Sequence, residues 1–267
     1  MKTIRGKKAL VTGASSGIGR AIAVALAREG ADLILVGRNE ARLEATANEA
    51  RSNGVTATCF RCDLSQPAEI TATVQSIVAA STIDILVNNA GVIYYGATDQ
   101  MLHQEAGQIL STNLLAPIQL VHELLPTLLS RPEAHIVNVA SIAGLITMRK
   151  GSAYQASKFG LVGFSSALRA EYVRYGLGVS VLCPGLVRTP MLDRLAVDPE
   201  TQKRRTLLDW ASSTPEHVAE VTIRAIRANK GLVVTAGPLR FVWWLTRLSP
   251  RLTGWIMQQG WRRWSPG

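Results

Sequence analysis

Val11-Thr12-Gly13-Ala14-Ser15-Ser16-Gly17-Ile18-Gly19 is the stretch on which the fold turns. It ends an apolar run at residues 9–12 and leads into a segment, residues 19–30, with Ile22, Ala23, Leu26 and Ala27 at helical spacing. A glycine-rich turn between a strand and a helix offers backbone N–H groups and the positive end of the helix dipole to a pyrophosphate. Glycine also lets the main chain come close to such a ligand. An ordinary glycine turn uses the same residues, so the reading rests on the strand and helix around it.

Outward from this turn, apolar runs at residues 9–12, 32–36, 56–61, 83–87, 135–139, 179–183 and 232–235 alternate with amphipathic segments such as 19–30 and 154–175. Such alternation predicts a parallel sheet with helices on both faces, a doubly wound α/β (Rossmann) fold of seven strands in a single domain. Its crevice is expected at the carboxyl ends of the strands. Residues 1–237 are assigned to this domain. Within it, residues 186–214 are too long for an ordinary connection and are expected to form a substrate lid, with Leu186, Met191, Leu192, Leu195, Leu207, Leu208 and Trp210 as apolar lining or ordinary helix core. Residues 238–267 form an amphipathic C-terminal extension rich in Trp and Arg.

Of the 267 residues, 47% are hydrophobic and 18% charged, which favours a packed chain over a disordered one. The net charge of +10 is lopsided, because no Asp or Glu follows Glu220 whereas Arg224, Arg227, Lys230, Arg240, Arg247, Arg251, Arg262 and Arg263 do. The basic residues form no recognised reader of nucleic acid, so none is expected as a partner. No apolar run approaches the ~20 residues needed to cross a bilayer. The basic start runs at once into polar residues, so no export signal is read and a cytoplasmic location is expected. Cys59-Phe-Arg-Cys62 looks like a redox motif, but it lies on a predicted strand that would hold the two Cα atoms roughly 10 Å apart. His103, His122, His135 and His217 are scattered without zinc-site spacing, and no metal is expected.

Two further places carry chemistry. Gly37 and Arg38 follow the second strand, where an acidic residue would accept hydrogen bonds from the ribose of NAD. A neutral residue followed by a guanidinium instead suits a 2′-phosphate, hence NADP(H), although Arg38 could also begin a solvated helix with Asn39, Glu40 and Arg42. Tyr154 and Lys158 stand one helical turn apart on one face, where an ammonium can stabilise a phenolate and lower its pKa.

With the glycine turn, Asp63, Asn88-Asn89-Ala90-Gly91, Asn113, Ser141, Tyr154 with Lys158, and Pro184-Gly185 followed by Thr189 in this order, the chain resembles the short-chain dehydrogenase/reductase family over residues 7–235. The resemblance implies that Tyr154 is the acid/base in hydride transfer between NADP(H) and a carbonyl or secondary alcohol, while Ser141 holds the substrate oxygen. It also implies that Lys158 binds the nicotinamide ribose and depresses the Tyr154 pKa, and that Asn113 holds a water linking Lys158 to solvent. Gly13, Ser15, Ser16, Gly17, Ile18 and Gly19 would form the pyrophosphate turn. Asp63 and Leu64 would flank adenine, Asn89, Ala90 and Gly91 the adenosine side, and Pro184, Gly185 and Thr189 the nicotinamide. Singly, Asp63 reads equally as a helix cap, Asn113 as a structural amide and Ser141 as a turn hydroxyl.

These residues point to an NADP(H)-dependent reductase or alcohol dehydrogenase for an apolar lipid-, acyl- or steroid-like substrate, 3-oxoacyl thioesters of a carrier protein among them. The alternative is a nucleotide-binding regulatory protein without turnover, which the fold by itself permits. A homodimer or homotetramer is implied by the resemblance. The extension carries Trp243, Trp244 and Trp255 with several arginines, a composition suited to peripheral attachment at the inner face of a membrane, to an acidic acyl carrier protein, or to burial on the protein's own core.

Overall fold

The computed structural model describes residues 1–193, 212–235, 237 and 239–249. Seven strands, β1 (Lys8–Thr12), β2 (Asp32–Gly37), β3 (Ala57–Arg61), β4 (Ile85–Asn88), β5 (Ala134–Val139), β6 (Leu177–Cys183) and β7 (Leu232–Val234), form one sheet in the order β3-β2-β1-β4-β5-β6-β7. Every pairing among them is parallel. The predicted doubly wound fold is the one observed.

Successive side chains of a strand point to opposite faces, and this divides the core in two. Ala9, Val11, Leu33 and Leu35 meet α1 (Gly17–Arg28), α2 (Glu40–Arg51) and α8 (Pro215–Arg227) through Ile22, Leu26, Leu43, Val218 and Ile226. Leu10, Ile34, Leu86 and Ile136 face α3 (Pro67–Ala80), α5 (Ala116–Leu129) and α6 (Ser152–Tyr172) through Ile70, Leu124 and Leu168. With helices on both sides the inner strands have no wet face and read as mainly apolar runs, whereas the edge strands β3 and β7 keep exposed residues. Two shorter helices are α4 (His103–Leu110) and α7 (Pro190–Asp193), the latter starting at the crevice wall, and α9 (Leu239–Leu248) follows β7.

Element ends differ from expectation where side chains intervene. The strand expected from residue 83 begins at Ile85, because the Asp84 carboxylate accepts hydrogen bonds from the Lys8 N–H at 2.9 Å and from Arg131 at 2.7 Å and so serves as a connection. The helix expected at residues 154–175 begins at Ser152 and stops at Tyr172, giving way to a tight turn, Val173–Tyr175, closed by Gly176 at φ 81°.

Strand order reverses between β1 and β4, and a doubly wound sheet opens its crevice at that point. Thr12 closes the seam between the two strands: its hydroxyl oxygen accepts from the Asn89 and Ala90 N–H groups at 3.0 and 3.1 Å. Of the expected lid, residues 194–211 lie outside the described residues, and with them Leu195, Leu207, Leu208 and Trp210. Its two feet are joined, since the Arg188 N–H donates to the Ser213 carbonyl at 3.0 Å and the Ser213 N–H to that of Leu186 at 2.8 Å. Cys59, on β3, and Cys62, just beyond it, are free thiols, as the strand reading requires. Burial pushes Cys59 up to about 11 and Cys62 upward as well, away from redox reactivity.

Candidate active site

The glycine turn delivers α1 to the end of β1 at very close range. Gly13 has φ 65°, which favours glycine, and a side chain on Gly19 would collide with the Asn89 amide nitrogen and the Gly13 carbonyl oxygen. Asn89 occupies that space itself, donating to the Thr12 carbonyl at 3.1 Å. Ser16 has extended backbone and its side chain does not cap α1, so the first turn of the helix faces the crevice with its own N–H groups.

The crevice is a cavity of about 530 Å³ running from β2 to α6, within the range of roughly 300–1,000 Å³ common to cofactor sites. Gly13, Ser15, Ser16, Gly17 and Ile18 line it, as do Arg38, Asp63, Leu64, Asn89, Ala90, Gly91, Tyr154, Lys158 and Thr189. Gly19 is not in the lining; its task is the close approach just described. Asn113, Ser141, Pro184 and Gly185 are not among the lining residues. Pro184 reaches the site through its carbonyl, which accepts from the Ile142 N–H at 2.7 Å and so ties the end of β6 to the Ser141 turn.

At the β2 end, Asn39 caps α2 by accepting from the Arg42 N–H at 2.9 Å. That cap sets Arg42 in the first helical turn, and its side chain joins Arg38 in the cavity wall. In the sequence Arg42 enters only through the alternative reading of a solvated helix; the capping Asn39 is the signal that could place it. Burial raises the Asp63 pKa, but hydrogen bonds from the Ser65 N–H and hydroxyl, with the charges of Arg38 and Arg61, leave the carboxyl below its usual value. Asp63 thus makes the local turn that the cap reading anticipated and also borders the cavity.

At the other end, α6 carries Tyr154 and Lys158. Ser141 terminates the loop after β5, with its hydroxyl oxygen accepting from the Ala143 N–H at 3.1 Å and its side chain hydrogen-bonded to Tyr154. Lys158 is buried, donates to the Val139 carbonyl at 3.0 Å, and holds its nitrogen 5.8 Å from the Tyr154 ring centroid. Desolvation pulls Lys158 down to about 8, with neighbouring Cys183 acting in the opposite sense. The same loss of water raises the Tyr154 pKa, and the Ser141 hydrogen bond opposes it without reversing it. In the chain without cofactor, desolvation is thus the larger influence on the phenol.

Asn113 lies on a π-helical turn, Ser111–Leu115, between α4 and α5. Its amide clamps Val92, accepting from the N–H at 2.8 Å and donating to the carbonyl at 2.9 Å, and it also donates to Ser157 on α6 at 3.2 Å. The side chain therefore holds the loop after β4 against α6, the structural task of a buried amide. Val92, Ile93, Thr112 and Pro190 also line the cavity and carried no signal in the sequence, whereas Met191, expected as apolar lining of the lid, is in the wall as well. His135 is buried 2.9 Å from the Ser180 hydroxyl, and burial lowers it to about 3, so it is a neutral core group. Among the described residues no cluster of three or more His, Cys, Asp or Glu could hold a metal ion.

The same arrangement recurs among known proteins. A family model described as short chain dehydrogenase matches residues 7–200. The ketoacyl reductase HetN of Nostoc sp. is 36% identical over 242 residues, spanning 90% of this chain and 82% of that protein. A variant of actinorhodin polyketide ketoreductase, solved with NADPH, is 34% identical with a TM-score of 0.81, covering 90% of this chain and 99% of its own. A short-chain dehydrogenase/reductase from Burkholderia phymatum, solved with NAD, is 28% identical with a TM-score of 0.84, covering 94% and 96%. With the family's ordered residues gathered around one crevice and a match across most of the chain, this protein belongs to the short-chain dehydrogenase/reductase family of oxidoreductases.

Proposed function

We propose that the protein is an NADP(H)-dependent reductase of apolar carbonyl compounds, 3-oxoacyl thioesters foremost, with Tyr154 as its acid/base. The observation that carries this reading is a single cavity with two guanidinium groups, Arg38 and Arg42, at one end and Tyr154 beside buried Lys158 at the other. The residues fit a phosphorylated dinucleotide: glycines crowd the backbone at the helix start, and neutral Gly37 with the two arginines suits a 2′-phosphate. When bound, the nicotinamide supplies the hydride that the carbonyl carbon gains.

The chain's own residues handle the proton. The Tyr154 hydroxyl donates its proton to the carbonyl oxygen, leaving a phenolate that the Lys158 charge and the Ser141 hydrogen bond stabilise. A raised phenol pKa keeps that proton on Tyr154 at neutral pH, in place to be donated. Ser141 also orients the substrate oxygen, and Asn113 keeps β4 and α6 in register through Val92 and Ser157. Val92, Ile93 and Met191 give the wall beside Tyr154 an apolar character suited to an acyl chain, and the ketoacyl reductase relatives support that class.

The test is NADPH oxidation with 3-oxoacyl thioesters of graded chain length, repeated with NADH, for the wild type and Tyr154→Phe. Wild-type turnover with NADPH is expected, and the variant should lose about 10²–10⁴-fold while still binding NADPH. Wild-type NADPH binding without reduction across the panel would overturn the enzymatic reading in favour of a nucleotide-binding regulator.

A further inference from the structure

Among the described residues, helix α9 meets the body through the face that carries Trp243. Trp243 packs beside Ile142 and Ile146, next to the loop that carries Ser141, and the Arg247 guanidinium lies 5.4 Å from the centre of its ring. On the opposite face three large apolar side chains are exposed: Phe241 is 62% exposed, Trp244 54% and Leu248 63%. At about 100° per residue these three fall within an arc of roughly 60°. The Phe241 and Trp244 rings are stacked, with centroids 6.4 Å apart, so the arc forms one continuous apolar ridge.

Positive charge borders this ridge. Arg240 and Arg247 are exposed along one flank of the same helix. Beyond them Arg240 joins Arg224 and Lys230 around a cavity of about 350 Å³ floored by Leu232, Val234 and Trp243. None of these three forms an ion pair with a carboxylate among the described residues, and the sequence holds no Asp or Glu after Glu220. Further along the chain come Arg251, Arg262 and Arg263 with Trp255, Trp261 and Trp264. No helix among the described residues is long and apolar enough to cross a bilayer.

We infer that α9 is a docking surface for an anionic lipid bilayer, lying in the interface plane with Phe241, Trp244 and Leu248 inserted and Arg240, Arg247, Arg224 and Lys230 meeting headgroup phosphates. Three large side chains projecting from a convex helix require a deformable apolar medium, which a lipid boundary provides without a matching groove. Aromatic rings at headgroup depth and adjoining guanidinium groups are the composition of such an interface, and the one-signed charge selects anionic headgroups. The inference is independent of the reductase reading, since it concerns a face outside the catalytic cavity.

Flotation of the full chain with phosphatidylcholine vesicles, with and without phosphatidylglycerol, tests it. The wild type is expected to float with the anionic vesicles only. Arg240→Gln and Arg247→Gln should each weaken that partition by about fivefold, the size of one cation near a charged surface. The triple variant Phe241→Ser, Trp244→Ser, Leu248→Ser should lose it while keeping the wild-type melting temperature and NADPH affinity. Brominated lipid should quench wild-type tryptophan emission and do so less in Trp244→Phe. Failure of the wild type to float, or flotation of the triple variant like the wild type, overturns the inference. Binding to an acidic carrier protein, or self-association abolished by the triple variant, in the absence of vesicle binding, also overturns it and assigns the ridge to a protein partner.

Discussion

The Lys158 carbonyl oxygen lies 2.6 Å from where the Cβ of any side chain at Gly144 would stand, so the Ser141 turn and α6 touch backbone to side. This contact sets the spacing between Ser141, on the turn, and Tyr154, on the helix. Gly144→Ala must separate them. Overpacking of this kind costs about 1–3 kcal/mol, and a shift of about 1 Å between acting groups can lower turnover by about 10²-fold. Urea unfolding and kcat measured together check it; an alanine variant with wild-type kcat would show that the contact does not govern the site.

The pH dependence of reduction follows from Lys158. Its pKa stands at about 8, below the ordinary 10.5, because burial disfavours the charge. The Tyr154 phenol is shifted upward and keeps its proton throughout this range. The kcat/KM for NADPH, which reports the enzyme before the cofactor binds, is therefore expected to fall as pH rises through about 8, with the limb absent in the residual activity of Lys158→Met. Stability moves the other way. From about 8 to 10.5 the unfolded chain holds a proton that the folded Lys158 has released, so this group's contribution to stability rises with pH across that window. A flat kcat/KM profile from pH 7 to 10 contradicts the assignment of that pKa to the site.

Arg38 and Arg42 line the same end of the cavity. If both grip a 2′-phosphate, Arg38→Gln and Arg42→Gln should each weaken NADPH by roughly 10–100-fold, from about 1.5–3 kcal/mol per charge-assisted hydrogen bond. NADH, lacking that phosphate, should change little. Isothermal titration of both nucleotides decides the matter, and equal losses for the two would refute selection by these arginines.

Asn113→Ala would leave the N–H and carbonyl of Val92 without their partners, at about 1–3 kcal/mol for each group that stays buried. A loss of that order in urea unfolding is expected. Asn113→Asp, which keeps the acceptor for the Val92 N–H but not the donors, should lie between. An alanine variant as stable as the wild type would remove the clamp from the account of the site.

The doubly wound fold was legible because its determinants are local: apolar runs, helical periodicity and a glycine turn each span a few residues, and their alternation admits a parallel sheet. The same holds for Tyr154 and Lys158, which share a helix face by spacing alone. Arg42 was missed because its place depends on Asn39 ending one element and starting another. The tasks of Asn113 and Gly144 depend on partners 21 and 14 residues away or more, across elements that meet only in the folded chain.

The sequence by itself determined the order of strands and helices, the glycine turn between β1 and α1 and the pairing of Tyr154 with Lys158. Only the tertiary structure decided the direction of the Tyr154 shift, the clamp on Val92 and the division of α9 into a buried Trp243 and an exposed ridge of Phe241, Trp244 and Leu248. The physical reason is that pattern and spacing are properties of neighbouring residues, whereas desolvation and burial are properties of enclosure, set by which distant surfaces come to lie against one another.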